Sequence, residues 1–244
     1  MADGPDALAA KRKQPLAPLW RRLLRWSAAL LSLLVLASVF QVLLLRWVPP
    51  PFTVPMAFYW ASRPFSPEPH RPIRYHWASL SAVSPHLQRA VVAAEDQRFF
   101  DHHGFDLVEI KKALSAAVAG DRLRGASTIS MQAARSVFLL PRRSVWRKAL
   151  EAYYTVLIEA FWGKRRILEM YLNTVDWGDG IFGAEAAAQA YFHTPAARLD
   201  RARAALLAAV LPNPHRFSPH RPSAFVRQRQ QRILTDMPRM PVVP

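Results

Sequence analysis

The longest uninterrupted apolar segment of the chain lies near its N-terminus. It reads SAALLSLLVLASVFQVLLL, from Ser27 to Leu45, and Gln41 is its only strongly polar residue. At a rise of about 1.5 Å per residue, a helix of this length nearly spans a hydrocarbon core of about 30 Å. Arginine and tryptophan flank the segment at both ends, as is typical of the membrane–water interface. The pattern predicts one transmembrane helix.

The distribution of cations orients this predicted helix. Lysines and arginines are dense in residues 1–25, whereas only Arg46 and Arg63 closely follow the apolar segment. The positive-inside bias therefore places the N-terminus in the cytoplasm and the rest of the chain outside it. A cleaved signal peptide is the alternative, but its apolar core would be shorter and would end in a small-x-small site. We favour an uncleaved anchor.

The second half of the chain follows a helical pattern. Ser84 and Pro85 are suited to an N-cap and a first-turn proline, and they open a helix that runs towards Glu95. Further helices are predicted over 107–119, from Ser127 to Pro141, from Ser144 to Trp162, and over 164–173, 183–191, 200–211 and 222–237. No hairpin signal or alternating strand of useful length appears. The predicted fold class is mainly α.

A proline-rich segment separates these two parts. It reads PPPFTVPMAFYWASRPFSPEPHRP, residues 49–72, and prolines this dense predict extended or irregular backbone. The predicted organisation is a basic cytoplasmic tail (1–26), a transmembrane anchor (27–47), a connector (48–79) and a helical domain (80–244).

The composition limits the chemistry that the domain can perform. Lysine and arginine outnumber aspartate and glutamate by 33 to 17, and the formal charge is +16. Such a surplus attracts nucleic acid, anionic lipid headgroups or phosphorylated substrates, and does not choose among them. The chain has no cysteine, which excludes disulfides, thiolate metal sites and cysteine nucleophiles.

Three predicted helices carry polar or aromatic side chains at helical spacing. If the first helix continues past Glu95, the first set is Glu95, Phe99 and His102, with Asp96 beside them. The second set is Thr128, Gln132 and Arg135, preceded by Ser127. The third set is Arg147, Lys148 and Glu151. Each set alone is better explained by a solvated helix face. Together, two carboxylates, an amide and several cations could line a cleft for a phosphorylated sugar, and N–H groups at the helix start near Ser127 would favour an anion.

The stretch NTVDWGDGIFG, residues 173–183, interrupts the helical pattern. Its glycines permit backbone turns that other residues resist, which suits either a loop that shapes a substrate site or an ordinary helix connector.

Several segments match recurrent motifs in the same order. The pattern E-D-x-x-F-x-x-H-x-G-x-D is met by residues 95–106, G-x-S-T-x-(S/T)-x-Q by 125–132 and R-K-x-x-E by 147–151. On these residues the chain resembles the monofunctional biosynthetic peptidoglycan glycosyltransferases, a family that also supplies the glycosyltransferase half of class A penicillin-binding proteins. The resemblance covers roughly residues 80–237 and implies a lysozyme-like helical domain with a small membrane-proximal lobe, preceded by one transmembrane helix.

The resemblance also implies a reaction. Glu95 would be the general base that takes the proton from the GlcNAc 4-hydroxyl of the acceptor, lipid II. That oxygen would attack the anomeric carbon of the lipid-linked donor chain with inversion, and polyprenyl diphosphate would leave. An apolar shelf beside Glu95 would raise the pKa of its carboxyl towards a value useful for a base.

The remaining motif residues are implied to bind substrate. Glu151 would be the second catalytic carboxylate and would hold the diphosphate together with its neighbouring cations. The predicted binding residues are Asp96, Phe99, His102, Ser127, Thr128, Gln132, Arg135, Arg147 and Lys148. Compared with many family members, Met131 replaces glutamine, Arg135 lysine, Ser136 asparagine and Asp176 glutamate.

Cofactors and partners follow from the same resemblance. No cofactor is required and no metal ligand is assigned, although a Mg²⁺ or Mn²⁺ ion near Glu151 is an option. The expected partners are lipid II, the growing lipid-linked glycan, the bacterial inner membrane and cell-division or cell-wall synthesis proteins, with no nucleic acid. The catalytic domain would be periplasmic.

Two alternatives stay open at the level of the sequence. A lysozyme-like lytic muramidase also uses carboxylates in a cleft, and a basic membrane-tethered binding module would need no catalysis. A transpeptidase is excluded for this chain, because none of its lysines has a serine three positions earlier, as S-x-x-K requires.

Overall fold

The computed structural model describes residues 19–65, 71–120, 125–142, 144–178 and 180–242. Within these ranges the chain forms ten α-helices and three short strands. The helices are α1 (Leu19–Leu45), α2 (Val54–Ser62), α3 (Pro85–Glu95), α4 (Leu107–Val118), α5 (Ile129–Phe138), α6 (Val145–Phe161), α7 (Lys164–Thr174), α8 (Ala184–Phe192), α9 (Arg201–Val210) and α10 (Ala224–Asp236). The mainly α fold class is confirmed. The predicted tail before residue 19 and position 179 of the glycine-rich stretch lie outside the described residues.

The chain divides into two compact units, one up to Gln41 and one from Val42 onwards. In the first unit, α1 begins at Leu19, earlier than the predicted Ser27, because no helix-breaking residue separates the flanking arginines from the apolar segment. Within the described part of the chain, this is the one helix that is long and apolar enough to cross a membrane. The division into tail, anchor, connector and domain stays a prediction.

The second unit contains a helix inside the proline-rich connector. Residues Val54–Ser62 form α2, so the prediction of extended or irregular backbone was wrong there. Pro55 occupies the first turn, where its missing N–H would have had no partner within the helix, and the residues up to Ser62 contain no further proline. Met56 is buried and anchors the helix.

A small sheet joins the end of the connector to the glycine-rich stretch. It consists of β1 (Arg74–Tyr75), β2 (Asp176–Gly178) and β3 (Ile181–Phe182). The order is β1-β3-β2, with β1 parallel and β2 antiparallel to β3. These strands are too short to produce an alternating sequence pattern, which is why none was predicted.

The core of the second unit is built around α5 and α9. Helix α5 packs on α6 and α7, and α9 packs on α3 and α10. Eight of the ten residues of α5 are buried, including Ser130 and Gln132, whereas Arg135 and Ser136 are partly exposed. The core thereby fixes α3, α5 and α10, which carry the site described below.

Gly183 joins β3 to α8 in a conformation that suits glycine. Its φ is +86°, and a Cβ atom there would lie 2.6 Å from the main-chain oxygen of Asn173. Neither the backbone conformation nor the neighbouring carbonyl can adapt to a side chain at low cost.

Gly183→Ala is therefore expected to lower the free energy of unfolding by about 1–3 kcal/mol. The thermal unfolding midpoint of the detergent-solubilised protein measures the loss. Gly163→Ala is the matched control, because a Cβ at Gly163 would have no neighbouring atom within 4 Å and φ there is −77°. Equal midpoints for the two variants would contradict the expectation.

Candidate active site

The carboxylate of Glu95 is held through both of its oxygens. Glu95 is the last residue of α3, and its side chain is 14% exposed. Gln132 on α5 donates from Nε2 to Oε2 over 2.9 Å. Arg229 on α10 donates from Nη2 to Oε1 over 2.9 Å and also to the carbonyl oxygen of Ala94 over 3.1 Å. Three helices therefore fix the position of this carboxylate.

The environment of Glu95 raises its pKa above the ordinary value. Burial is the largest cause, because it penalises the ionised form. The hydrogen bond from Gln132 and the positive charges of Arg229 and Arg135 act in the opposite direction and only partly offset the burial. A carboxylate with a raised pKa is a better proton acceptor near neutral pH than an ordinary glutamate.

The residues after Glu95 do not continue the helix. Asp96 leaves the helical conformation, with φ −163° and ψ 80°. The helix therefore ends at Glu95, and the condition under which Glu95, Phe99 and His102 would share one helical face is not met. The cause is tertiary: Asp96 Oδ2 accepts a hydrogen bond from the N–H of Ile129 at 2.9 Å, and His102 Nε2 lies 3.0 Å from Oδ1.

Asp96, Phe99 and His102 are buried behind Glu95 and hold the surrounding backbone in place. Phe99 is fully buried and His102 nearly so, and neither lines the two cavities described below. Thr128 adds a second tie, since it caps α5 and donates from Oγ1 to the carbonyl oxygen of Gly104 over 2.6 Å. The first motif thus holds the N-terminus of α5 against the segment that follows Glu95.

In the cluster of Asp96, His102 and Asp106 the carboxylate oxygens have partners, whereas the buried Nδ1 of His102 has no hydrogen-bond partner among the described residues. Asp106 caps α4 by accepting the N–H groups of Val108 and Glu109, and the Asp96 oxygens face His102 and the N–H of Ile129. These bonds give the cluster a structural role.

Glu151 forms a second buried centre. Its side chain has no exposed surface, and its oxygens accept hydrogen bonds from Arg147 Nη1 at 2.8 Å and Lys148 Nζ at 2.5 Å. Lys148 is 49% exposed and Arg147 19% exposed. Glu151 therefore orients two cations that can present positive charge to an anion, and it has no surface of its own for contact with substrate.

The contacts of Glu151 leave no free carboxylate oxygen for the Mg²⁺ or Mn²⁺ ion that was considered near it. Two cations already occupy the oxygens of Glu151, and this donor set does not fit a divalent ion. The expectation that no cofactor is required, with Mg²⁺ or Mn²⁺ near Glu151 as an option, stays a prediction, and no step below depends on a metal ion.

Two cavities flank the Glu95–Gln132 pair. The first, about 740 Å³, is lined by Glu95, Asp96, Ser127 and Thr128, together with Lys112 and Arg229 among other residues. The second, about 720 Å³, is lined by Gln132 and Arg135, together with Ser136, Thr174, Asp176 and His215 among others. Among the residues that the structure describes, Arg147, Lys148 and Glu151 line neither cavity. The predicted residues thus fall into a Glu95 group and a Glu151 group.

Comparison with known proteins identifies the family. A family model described as "Transglycosylase" matches residues 66–238. The chain belongs to the transglycosylase family. A protein of Rhodospirillum centenum named biosynthetic peptidoglycan transglycosylase is 53% identical over 212 residues, which are 87% of this chain and 89% of that protein.

Other relatives agree over the same length. A protein of Ectopseudomonas mendocina with the same name is 50% identical over 222 residues, 91% of this chain and 90% of its own. One from Xanthomonas campestris pv. campestris is 47% identical over 226 residues, 93% and 92% of the two chains. The predicted family and the predicted glycosyltransferase activity are confirmed, and the lytic and non-enzymatic alternatives gain no support.

Sequence reasoning missed two side chains of the transglycosylase site. Arg229 binds Glu95, yet it is one of several arginines on α10 and no local pattern distinguishes it. Tyr171 is fully buried on α7, and its hydroxyl donates to Gln132 Oε1 over 3.3 Å. Both are brought to the site by helix packing, for which the sequence carries no short-range signal.

Proposed function

We propose that this peptidoglycan glycosyltransferase polymerises lipid II, with Glu95 as the general base. The observation that carries the proposal is the position of the Glu95–Gln132 pair between two cavities large enough for two sugar-bearing substrates. Glu95 accepts the proton of the GlcNAc 4-hydroxyl on the acceptor. The freed oxygen forms a bond to the anomeric carbon of the donor chain as the bond from that carbon to the phosphate oxygen breaks.

The leaving group departs as polyprenyl diphosphate and carries away the negative charge. Positive side chains support this step because they stabilise charge that develops on the diphosphate oxygens. Arg135 lines one of the two cavities, and Glu151 orients Arg147 and Lys148 as further cations. The proton held by Glu95 is then released to solvent before the next cycle.

Incubation of the purified full chain with lipid II in detergent tests the proposal. Glycan polymer and free polyprenyl diphosphate are the expected products. Release of soluble muropeptides from mature cell wall, without consumption of lipid II, would instead identify a lytic enzyme.

Arg135 offers a test of the diphosphate contact. Arg135→Lys is expected to keep substantial activity because the positive charge remains, whereas Arg135→Ala is expected to raise the KM for lipid II roughly tenfold or more. Steady-state kinetics of polymerisation measures both. Full activity with unchanged KM in both variants would remove Arg135 from the site.

The substrate chemistry supports a location at the bacterial inner membrane, because both substrates are lipids. The apolar helix α1 and the preceding cations support a single span with a cytoplasmic N-terminus and a periplasmic domain. A reporter fused after Pro244 is expected to be active when it requires the periplasm and silent when it requires the cytoplasm. The reverse result would contradict the orientation. Association with cell-division or cell-wall synthesis proteins stays a prediction.

A further inference from the structure

Helix α10 places a cation directly on the proposed base. We propose that Arg229 is a positioning residue that fixes the Glu95 carboxylate and keeps it ionised at the pH of catalysis. The inference rests on the proposed role of Glu95. The Arg229 guanidinium lies 2.9 Å from Glu95 Oε1, and the same nitrogen donates to the carbonyl oxygen of Ala94 at 3.1 Å.

The place of Glu95 in its helix explains why a cation is needed there. Glu95 is the final residue of α3, where the unpaired carbonyl groups and the helix dipole disfavour a negative charge. Burial disfavours that charge further. Arg229 offsets both effects, because one nitrogen of its guanidinium binds the carboxylate and a carbonyl of the last helical turn. The two bonds also hold the carboxylate in one orientation relative to α3.

The other groups that face Glu95 do not duplicate this contact. Gln132 donates a neutral hydrogen bond, and Arg135 acts on the carboxylate through its charge without a hydrogen bond to it among the described contacts. Burial raises the pKa of Tyr171 well above its ordinary value, so this side chain stays neutral. Within the described residues, Arg229 is therefore the one cation hydrogen-bonded to the base.

Further charged groups line the cavity beside Glu95. They are Asp96, Arg98, Asp106, Glu109, Lys112, Arg232 and Asp236. Asp96 is paired with His102, Asp106 with Arg98, and Glu109 with Lys112. Asp236 accepts a hydrogen bond from Gln97 and lies 4.0 Å from Arg239. Among the described charged groups of this cavity, Arg232 included, Arg229 is the one for which a hydrogen bond to Glu95 is found, so its removal acts on Glu95 most directly.

The test compares Arg229→Gln and Arg229→Lys with the wild-type chain over a range of pH. Arg229→Gln removes the charge, so the acidic limb of the kcat profile is expected to move to higher pH. Polymerisation by this variant should then fall at least several-fold more at about pH 6 than at about pH 9. Arg229→Lys retains a charge, so the acidic limb of its kcat profile is expected at a pH between those of wild type and Arg229→Gln. Arg227→Gln is the matched control, since Arg227 is exposed on the same helix and lines neither cavity, and its profile should equal that of wild type.

Two outcomes would overturn the inference. A uniform loss of activity at every pH, with no shift of the acidic limb, would identify a merely structural residue. A rise in KM with unchanged kcat and an unchanged profile would identify a substrate-binding cation instead.

A second measurement separates this inference from the proposed function. The carboxyl resonances of ¹³C-labelled protein, with the Glu95 signal assigned from Glu95→Gln, report the titration of Glu95 without any substrate. The Glu95 titration is expected to move to higher pH in Arg229→Gln even if the wild-type chain fails to polymerise lipid II, in which case the proposed function alone would fall. Polymerisation by wild type with an unmoved Glu95 titration in Arg229→Gln would refute the role of Arg229 alone.

Discussion

Glu95→Gln is expected to reduce lipid II polymerisation by roughly 10²- to 10⁴-fold, the range typical for loss of a positioned acid–base group. The amide keeps the shape of the side chain and one acceptor oxygen, but it cannot take up the proton of the attacking hydroxyl. Quantification of polymer formed by purified wild-type and variant protein measures the loss. A folded Glu95→Gln protein that polymerises at the wild-type rate would overturn the proposed mechanism.

Thermal unfolding as a function of pH provides the folding control for this variant. The pKa of Glu95 is raised in the folded state, so the folded protein binds more protons than the unfolded chain between the ordinary value of 4.5 and the folded value. Wild-type stability therefore falls as the pH rises through that window. Glu95→Gln removes the ionisation and is expected to unfold at no lower temperature than wild type at neutral pH. The difference between the unfolding temperatures of Glu95→Gln and wild type should narrow as the pH falls towards 4.5.

Many of the helices could be predicted because the residues that begin and end them are close to those ends in the sequence. Ser84 and Pro85 begin α3, Ser144 caps α6, and Gly163 separates α6 from α7. Caps and breakers act within one turn, so a single sequence suffices to place them. The helix α2 was not predicted, because the surrounding segment is rich in proline. Within α2 itself the only proline lies in the first turn, where a helix tolerates it.

The geometry of the site depends on contacts between distant parts of the chain. Glu95, Phe99 and His102 do not share a helical face, because Asp96 leaves the helix and accepts a hydrogen bond from the N–H of Ile129, and nothing near Asp96 in the sequence indicates that contact. Arg229 reaches Glu95 only because α10 packs near α3. The sequence motifs thus supplied the base and its amide partner, and the packing of the helices supplied the cation.

The buried carboxylate of Glu151 has two possible roles, binding of the diphosphate through the cations that it orients or stabilisation of α6, and a substitution distinguishes them. Its oxygens are the acceptors for Arg147 and Lys148, and it has no exposed surface. If Glu151 acts by orienting these cations towards the diphosphate, its replacement should weaken diphosphate binding even when the fold survives. If Glu151 only stabilises α6, the loss should appear in stability alone.

Glu151→Gln is therefore expected to raise the KM for lipid II roughly 10- to 100-fold, which corresponds to the loss of about one charge-assisted hydrogen bond. Inhibition by the product polyprenyl diphosphate should weaken in parallel, and the free energy of unfolding should fall by about 1–3 kcal/mol. Glu169→Gln is the control, because the Glu169 carboxylate, whose side chain is 15% exposed, is likewise paired with an arginine, Arg166, at 2.6 Å. That control should lose comparable stability but keep the wild-type KM. If both variants lose stability and neither changes KM or product inhibition, Glu151 is a structural residue and the diphosphate must be held by other groups.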